Sequence, residues 1–205
     1  CWHHAEDEPP NFDIPDEIPE WGHDEWTEIV QRDWTIRTRN QEMAENAVDT
    51  AHFLYLHGTT NMPKSEASVD GHILRVFSDA GMETPRGTVD GSIESLNYGF
   101  GLAVVRFQGI VETLNVATQT PIDDDHVQLR FHFSVKKTGG AEMARGVGKA
   151  FVAEVSRQVE QDIPIWENKV QYEKPLLCDG DGPIALFRKW CTQFYSWPEG
   201  QEAAE

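Results

Sequence analysis

The chain has 205 residues, 39% hydrophobic and 25% charged, a composition typical of one soluble globular domain or at most two small ones. Its formal net charge of −18 disfavours contact with phosphate backbones, so no nucleic-acid partner is expected. No apolar run reaches the length of a transmembrane segment, and three dispersed cysteines give no disulfide framework, which favours a cytoplasmic protein.

Residues 1–25 predict an extended arm. Acidic residues are concentrated in this part of the chain and alternate with the prolines at positions 9, 10, 15 and 19. Such a segment is expected to be partly solvated, although Trp21 and Trp26 suggest that it docks on the folded part. Residues 26–205 are expected to form the domain that carries the chemistry.

A strand or pair of strands is predicted at residues 26–37, followed by a helix at about 41–57 that carries His52 and His57. Two imidazoles and one carboxylate on one side of a metal ion are the ligand set of non-heme Fe(II) oxygenases. Residues five apart do not share a face of an ideal helix, so the helix should end or unwind after His52, with Gly58 as a stop signal. Asp49 lies three residues before His52 and is expected to accept a hydrogen bond near that histidine.

The middle of the chain is rich in β signal. Val127, Leu129, Phe131, Phe133 and Val135 alternate with polar residues, which indicates an antiparallel strand covered on one face. His132 is interpreted as a solvated histidine, and His72 as a structural one. Strands are predicted at residues 73–77, 88–97, 101–107, 110–118 and 127–136, separated by glycines and by the turn at 121–125.

A long amphipathic helix is predicted from about residue 145 to 169. Val155 and Val159 lie on its apolar side, and Asp162 follows three positions later on the same face. An acid on a buried face needs a partner or a metal ion, so Asp162 is the candidate third ligand. A last helix is predicted at residues 184–195. Together these elements predict an α+β, helix-grip (START-like) fold, in which a curved antiparallel sheet wraps around the long C-terminal helix and leaves a cavity between them.

Other interpretations of these residues remain open. Histidines near a helix end are more often hydrogen-bonded residues than metal ligands, and Asp49 would then merely satisfy one of them. A helix-grip cavity also serves non-catalytic sterol or lipid binding. A zinc hydrolase would need a general base beside the metal, and no glutamate lies between the histidines.

Three blocks of sequence resemble the catalytic domain of Rieske non-heme iron oxygenases, most closely the 3-ketosteroid 9α-hydroxylase oxygenase subunits and the related cholesterol 7-desaturases. Their occurrence in this order is more specific than any one block. The blocks are Asn46-x-x-Asp49-x-x-His52-Phe53-x-x-x-His57, then residues 160–169 (EQDIPIWENK), then residues 174–177, 181–184, 187–190 and 193–195.

The resemblance implies that His52, His57 and Asp162 hold mononuclear Fe(II), that Asn46 lines the site beside the iron, and that Asp49 connects it to the electron-donating cluster of a neighbouring subunit. It implies a monooxygenase that hydroxylates a steroid-like substrate with O₂. Electrons would come from NADH through a ferredoxin reductase component and a Rieske [2Fe–2S] cluster. It also implies a homotrimer.

The chain departs from this family at its N-terminus. The family's [2Fe–2S] cluster is held by two cysteines and two histidines, and the sequence offers a Cys-x-His or Cys-x-x-His pair only at Cys1, with His3 or His4. Cys1, beside His3 and His4, has no second cysteine nearby. The chain is therefore interpreted as a part of a protein whose cluster domain lies upstream or on a neighbouring subunit. A smaller departure is Cys191, where relatives often carry tyrosine.

Overall fold

The computed structural model describes residues 7–84, 87–172, 174–178 and 180–196; Cys1, His3 and His4 lie outside them. The architecture is α+β, as the sequence predicts, with one antiparallel sheet and one long helix. In chain order the elements are β1 (Val30–Ile36), α1 (Asn40–Glu45), α2 (Ala51–Tyr55), β2 (Lys64–Asp70), β3 (Ile73–Thr84), β4 (Gly87–Tyr98), β5 (Leu102–Gln108), β6 (Thr113–Pro121), β7 (Val127–Val135), α3 (Ala141–Asn168) and α4 (Ile184–Cys191), followed by a 3₁₀ turn (Thr192–Phe194).

The seven strands form a single sheet in the order β1-β7-β6-β5-β4-β3-β2, and every neighbouring pair is antiparallel. Of the five apolar residues predicted to alternate along β7, Val127, Leu129, Phe133 and Val135 are buried and Phe131 is half-buried, but Ser134 on the opposite face is buried as well. Strands β2 to β7 follow one another as a meander. The connection from β1 to β2 runs from one edge of the sheet to the other, and β1 pairs with β7. This simple order leaves one broad face for the long helix.

β2 was not predicted from the sequence, and β3 is longer than the strand predicted at residues 73–77. β2 has the sequence KSEASVD, which is polar and carries little β signal, and it forms the edge of the sheet, where one side of the strand is solvated. β3 pairs with β4 over its whole length, from Ile73↔Tyr98 to Thr84↔Gly87. Both errors follow from predicting strands by hydrophobicity, which an edge strand does not need.

The prediction of a single helix at residues 41–57 was wrong. The structure has two short helices, α1 and α2, with a hydrogen-bonded turn at residues 46–50 between them. The Asp49 carboxylate accepts the backbone N–H groups of Ala51 (3.0 Å) and His52 (3.3 Å), so it caps α2 and competes with a continuous helix.

α3 packs against β7 and β1 and covers the inner face of the sheet. Val159, Asp162 and Trp166 are buried along one side of the helix, as the periodicity predicts for the first two. Near the start of α3, a Cβ on Gly148 would lie 2.8 Å from Cγ2 of Val135, so the helix and β7 approach closely there. The helix continues through Pro164 to Asn168. Among the described residues, no helix is both long and apolar enough to cross a membrane.

The N-terminal segment lies on the outer face of the sheet. Ile18 and Trp26 pack against a cluster formed by Val104, Leu114 and Val116. The Glu20 carboxylate pairs with the Arg106 guanidinium, with an Oε1–Nε distance of 2.5 Å, while the Trp21 side chain stays 44% exposed. The contacts of Ile18 and Trp26 place this segment on the opposite side of the sheet from α3. The division into an arm at 1–25 and a domain at 26–205 remains a prediction.

A buried ion-pair network fastens α1 to the C-terminal part of the chain. Glu45 is 6% exposed, and its carboxylate accepts hydrogen bonds from Lys169 Nζ (2.7 Å) and Arg188 Nε (2.8 Å). Burial alone would raise the pKa of Glu45, but the bonds from Arg188 and Lys169 outweigh it and hold that pKa below its usual value. Lys169 Nζ also lies 2.7 Å from Oε2 of Glu42. One carboxylate thus connects α1, the end of α3 and α4.

Replacing Glu45 with alanine should leave Lys169 and Arg188 without their shared buried partner. Because breaking a buried pair is costly, we expect the free energy of unfolding to fall by about 3 kcal/mol. Urea denaturation at pH 7 measures this change. The matched control is Glu154→Ala, which removes an exposed pair with Arg157 (2.5 Å) and should change stability by about 0.5 kcal/mol or less. Equal effects of the two substitutions would contradict a structural role for the network.

Candidate metal centre

The structure brings His52, His57 and Asp162 together. Each residue offers one ligand atom, and these atoms all lie within 4.8 Å of one another. The His57 Nε2 atom is 3.4 Å from Oδ1 of Asp162, and the two imidazole rings have centroids 5.0 Å apart and planes at 82°. The three residues predicted from the sequence as a ligand set therefore share one small volume, although His52 and Asp162 are 110 positions apart in the chain.

The start of α2 fixes the orientation of His52. Its Nδ1 lies 2.5 Å from the backbone carbonyl oxygen of Asp49. A carbonyl oxygen only accepts, so in the neutral ring Nδ1 carries the proton and Nε2 keeps its lone pair. The sequence predicted that Asp49 would accept a hydrogen bond from the neighbourhood of His52. It does so through both its backbone carbonyl and its carboxylate, which caps α2.

The end of α2 places His57. The helix ends at Tyr55, and the backbone N–H groups of Leu56 and His57 both bond the carbonyl of His52, at 2.8 and 3.2 Å. Gly58 has a φ of +73°, the left-handed conformation typical of a residue just beyond a helix. The predicted unwinding thus occurs, and it carries His57 back toward the ring of His52. The side chain of His57 is only 2% exposed.

Asn46 contacts two of the three candidate ligands. Its Nδ2 donates to Oδ2 of Asp162 (3.3 Å) and lies 3.3 Å from Nε2 of His52. The residue sits just after α1, in the turn that breaks the predicted helix. Its amide therefore helps to hold the carboxylate and one imidazole in their relative positions.

The electrostatics of the cluster suit a cation. Burial raises the pKa of Asp162 to about 7, despite the opposing hydrogen bond from Asn46, and the charge of Asp49 raises it further. Burial also lowers the pKa of His52 and that of His57, so both rings are neutral at pH 7. Neutral imidazoles are the metal-binding form, and a buried carboxylate gains most from a nearby positive charge.

The donor set of the cluster fits a divalent transition metal. Two imidazole nitrogens and one carboxylate oxygen suit iron better than Ca²⁺ or Mg²⁺, which prefer oxygen ligands. The side chains are held in place by backbone and amide hydrogen bonds. Asp49 does not belong to it, since its carboxylate lies 4.0 Å from Nδ1 of His52, on the side of the ring that faces away from Asp162.

The cluster forms part of the wall of a cavity of about 220 Å³ between α3 and the sheet. Most of the lining is apolar, and it includes Phe53, whose ring lies 4.2 Å from that of His52. The sheet adds a row of polar side chains on the inner face of β3, β4 and β6: Ser78, Ser95, Asn97, Asn115 and Gln119. Asn115 is 3% exposed, and its Oδ1 has no hydrogen-bond partner among the described residues. An apolar molecule with a few polar groups would suit this space.

The two histidines set aside in the sequence analysis lie away from the cluster. His132 bonds the carbonyl of Val116 through Nδ1 (3.1 Å) and contacts Trp21 on the outer face of the sheet. His72 stacks on Phe12 with a centroid distance of 4.4 Å. One contact residue was missed: Gln161, whose Oε1 lies 3.1 Å from Nδ1 of His57. Its position directly before Asp162 was the only available signal.

In the metal-free protein, Asp162 should make stability depend on pH. Its pKa is higher in the folded state, about 7 against the ordinary 3.8, so the folded state binds the proton more tightly. The stabilisation is complete below pH 3.8 and is lost as the pH rises through 7. The free energy of unfolding of the unsubstituted protein should therefore fall from pH 5 to pH 8, whereas that of Asp162→Asn should not show this fall. The difference between the two proteins should shift by about 2 kcal/mol in favour of the variant over this range.

Urea unfolding of the chelator-treated protein at the two pH values measures this difference. Glu160→Gln, an exposed position on the same helix, is the matched control for the effect of pH on α3. A stability difference between Asp162→Asn and the unsubstituted protein that stays constant from pH 5 to pH 8 would show that the carboxyl is not buried as described.

Solved structures of similar fold include NdmA of Pseudomonas putida CBB5 with caffeine, and dicamba monooxygenase bound to 3,6-dichlorosalicylic acid. Each has a TM-score of 0.66, at 15% and 12% identity. The matches cover 87% of this chain and 54% of NdmA, and 86% of this chain and 62% of dicamba monooxygenase. At this level of identity the likeness establishes the fold alone. It agrees with the predicted arrangement of one antiparallel sheet and one long helix.

Sequence comparison identifies closer relatives. The chain is 32% identical to a 3-ketosteroid-9-alpha-monooxygenase oxygenase component of Rhodococcus rhodochrous, and 24% identical to the cholesterol 7-desaturase of Caenorhabditis elegans. The matches cover 91% and 95% of this chain, which spans about half the length of these relatives (52% and 51%). The family model of the 3-ketosteroid 9alpha-hydroxylase C-terminal domain matches residues 1–195. The resemblance predicted from the sequence is confirmed: the chain belongs to the family of 3-ketosteroid 9α-hydroxylase C-terminal domains.

Proposed function

We propose that this chain is the catalytic domain of a Rieske-type non-heme iron monooxygenase, which binds one Fe(II) on His52, His57 and Asp162 and hydroxylates a steroid-like substrate. The observation that carries the proposal is the position of the triad, which opens on an apolar cavity of about 220 Å³. The assignment of a steroid rests on the relatives, whose names describe 3-ketosteroid oxidation and cholesterol desaturation. We name the fold helix-grip, because α3 lies across one face of the sheet with the cavity between them.

The residues of this chain would prepare the site in three ways. The backbone carbonyl of Asp49 directs Nε2 of His52 inward, and Asn46 holds the Asp162 carboxylate. The apolar lining excludes water and accepts the hydrophobic body of a substrate. The polar row on the sheet would hydrogen-bond the oxygen substituents of that substrate and so set which carbon faces the triad. When bound, ferrous iron would supply the activation of O₂ beside the substrate.

Electrons would reach the site from outside this domain. We propose that they pass from NADH through a ferredoxin reductase component to a Rieske [2Fe–2S] cluster, in an upstream domain or a neighbouring subunit of a homotrimer, in a cytoplasmic enzyme. The segment at residues 1–25 would be the arm that leads from the cluster domain. Asp49 suits the role of the residue that connects the cluster to the metal site. Its side chain is 35% exposed, and its backbone carbonyl accepts a hydrogen bond from the ring of His52.

The alternatives that the sequence left open fit the site less well. A zinc hydrolase needs a general base beside the metal, and of the described residues that line the cavity Asp162 alone carries a carboxylate. A non-catalytic sterol carrier accounts for the cavity. It gives no reason for a buried acid and two neutral imidazoles to converge at its wall, because an unpaired buried carboxyl lowers stability.

Anaerobic reconstitution with Fe(II) should load about one iron per chain. His52→Ala and Asp162→Ala should each abolish most of this loading, because each removes one of three protein ligands. Iron analysis after gel filtration measures the stoichiometry, with His132→Ala, on the outer face of the sheet, as the control. Steroid binding that persists without any iron uptake by the unsubstituted protein would favour the sterol-carrier alternative.

Asp49→Asn should separate electron delivery from iron binding. Asparagine keeps an oxygen that can cap α2 and loses the charge, so we expect iron content to be retained while turnover of a 3-ketosteroid falls about tenfold or more. The assay uses the full-length protein with its reductase, NADH and O₂. Unchanged turnover in the variant would exclude the proposed role of Asp49.

A further inference from the structure

Gln161 makes a contact that none of the roles above explains. Its Oε1 lies 3.1 Å from Nδ1 of His57, and the two residues come from different elements, α3 and the segment after α2. On the other side of the same ring, Nε2 faces Oδ1 of Asp162 at 3.4 Å. His57 is thus held between an amide on one nitrogen and a carboxyl group on the other.

The contact matters because a neutral imidazole carries one N–H. If the proton is on Nδ1, it is donated to an acceptor there, and Nε2 presents a lone pair toward Asp162. If the proton is on Nε2, it is donated to the Asp162 carboxylate and occupies the direction in which a metal ion would bind. The acceptor at Nδ1 therefore decides whether this ring is ready to be a ligand.

The two histidines of the cluster obtain this acceptor in different ways. His52 uses the backbone carbonyl of Asp49 at 2.5 Å, which no substitution removes. Among the described residues, His57 has Gln161 as its hydrogen-bond partner at Nδ1. The charged neighbours on α3 are engaged with each other, since Arg157 pairs with Glu154 at 2.5 Å. The orientation of His57 consequently depends on a single side chain.

We infer that Gln161 is a positioning residue, whose Oε1 holds the proton of His57 on Nδ1 and so presents Nε2 to the metal ion. This role deepens the proposed function and rests on it, since it presumes that His52, His57 and Asp162 bind the metal. Gln161 itself does not belong to the ligand cluster. It also locks α3 to the end of α2, so that Asp162 and His57 keep their distance.

Two substitutions test this role. Gln161→Leu removes the acceptor at similar size, and Gln161→Glu retains an oxygen that can only accept. The control is Gln158→Leu, one turn earlier on α3, where the native amide donates to Glu154 at 3.0 Å. The tautomer of His57 is determined in the metal-free protein by long-range ¹H–¹⁵N NMR. The Co²⁺ dissociation constant is determined by visible absorbance at pH 7, with thermal unfolding as the check on folding.

We expect His57 to carry its proton on Nδ1 in the unsubstituted protein, in Gln161→Glu and in Gln158→Leu, and to shift toward Nε2–H in Gln161→Leu. The Co²⁺ dissociation constant should rise about 10- to 100-fold in Gln161→Leu. Gln161→Glu should bind Co²⁺ at least as tightly as the unsubstituted protein, because its carboxylate accepts the same hydrogen bond.

Several results would overturn the inference. An Nε2–H tautomer in the unsubstituted protein would do so, and so would Co²⁺ binding by Gln161→Leu that equals that of the unsubstituted protein or of Gln158→Leu. These outcomes leave the metal centre itself intact. Failure of the unsubstituted protein to bind Co²⁺ or Fe(II) is a different result, which would remove the proposed function and the role of Gln161 with it.

Discussion

The candidate metal centre depends on one buried carboxyl group. Asp162 is 5% exposed and faces a neutral imidazole at 3.4 Å, and within the described ranges its carboxylate accepts a hydrogen bond from the amide of Asn46 alone. An acid in such surroundings lowers stability unless it is protonated or meets a cation, and its pKa is accordingly raised to about 7. A metal ion between Asp162 and the two histidines would remove this cost, which is why the cluster is interpreted as a metal centre.

The rest of the fold keeps the three side chains in place. α3 is fixed to the sheet through a core of Ile36, Met43, Val127, Leu129, Val159 and Trp166, which also includes a residue of α1. Glu45 ties α1 to Lys169 at the end of α3 and to Arg188 on α4. Asp162 therefore lies on a helix that is joined to α1 both through the core and through a buried ion-pair network. The two histidines are connected to α3 by the contacts of Asn46 with Asp162 and of Gln161 with His57. The cavity beside the triad is lined by residues of α1, α2, α3 and the sheet.

Much of this arrangement could be predicted from local patterns in the sequence. The alternation in β7 and the spacing of Val155, Val159 and Asp162 on α3 are strong signals, because they arise from one face of an element being buried. The break between α1 and α2 could not be predicted in detail, because it depends on the Asp49 carboxylate capping α2. The polar edge strand β2 and the contact of Gln161 with His57 depend on tertiary partners, which helical and strand periodicity do not report.

The most direct test is anomalous X-ray diffraction at the iron K-edge on crystals of the full-length protein reconstituted anaerobically with Fe(II). We expect one anomalous peak per chain in this domain, within bonding distance of Nε2 of His52, Nε2 of His57 and the carboxylate of Asp162. A peak elsewhere, or no peak between these three side chains, would contradict it. In that case the buried acid would need another explanation, and the oxygenase assignment would fail for this domain.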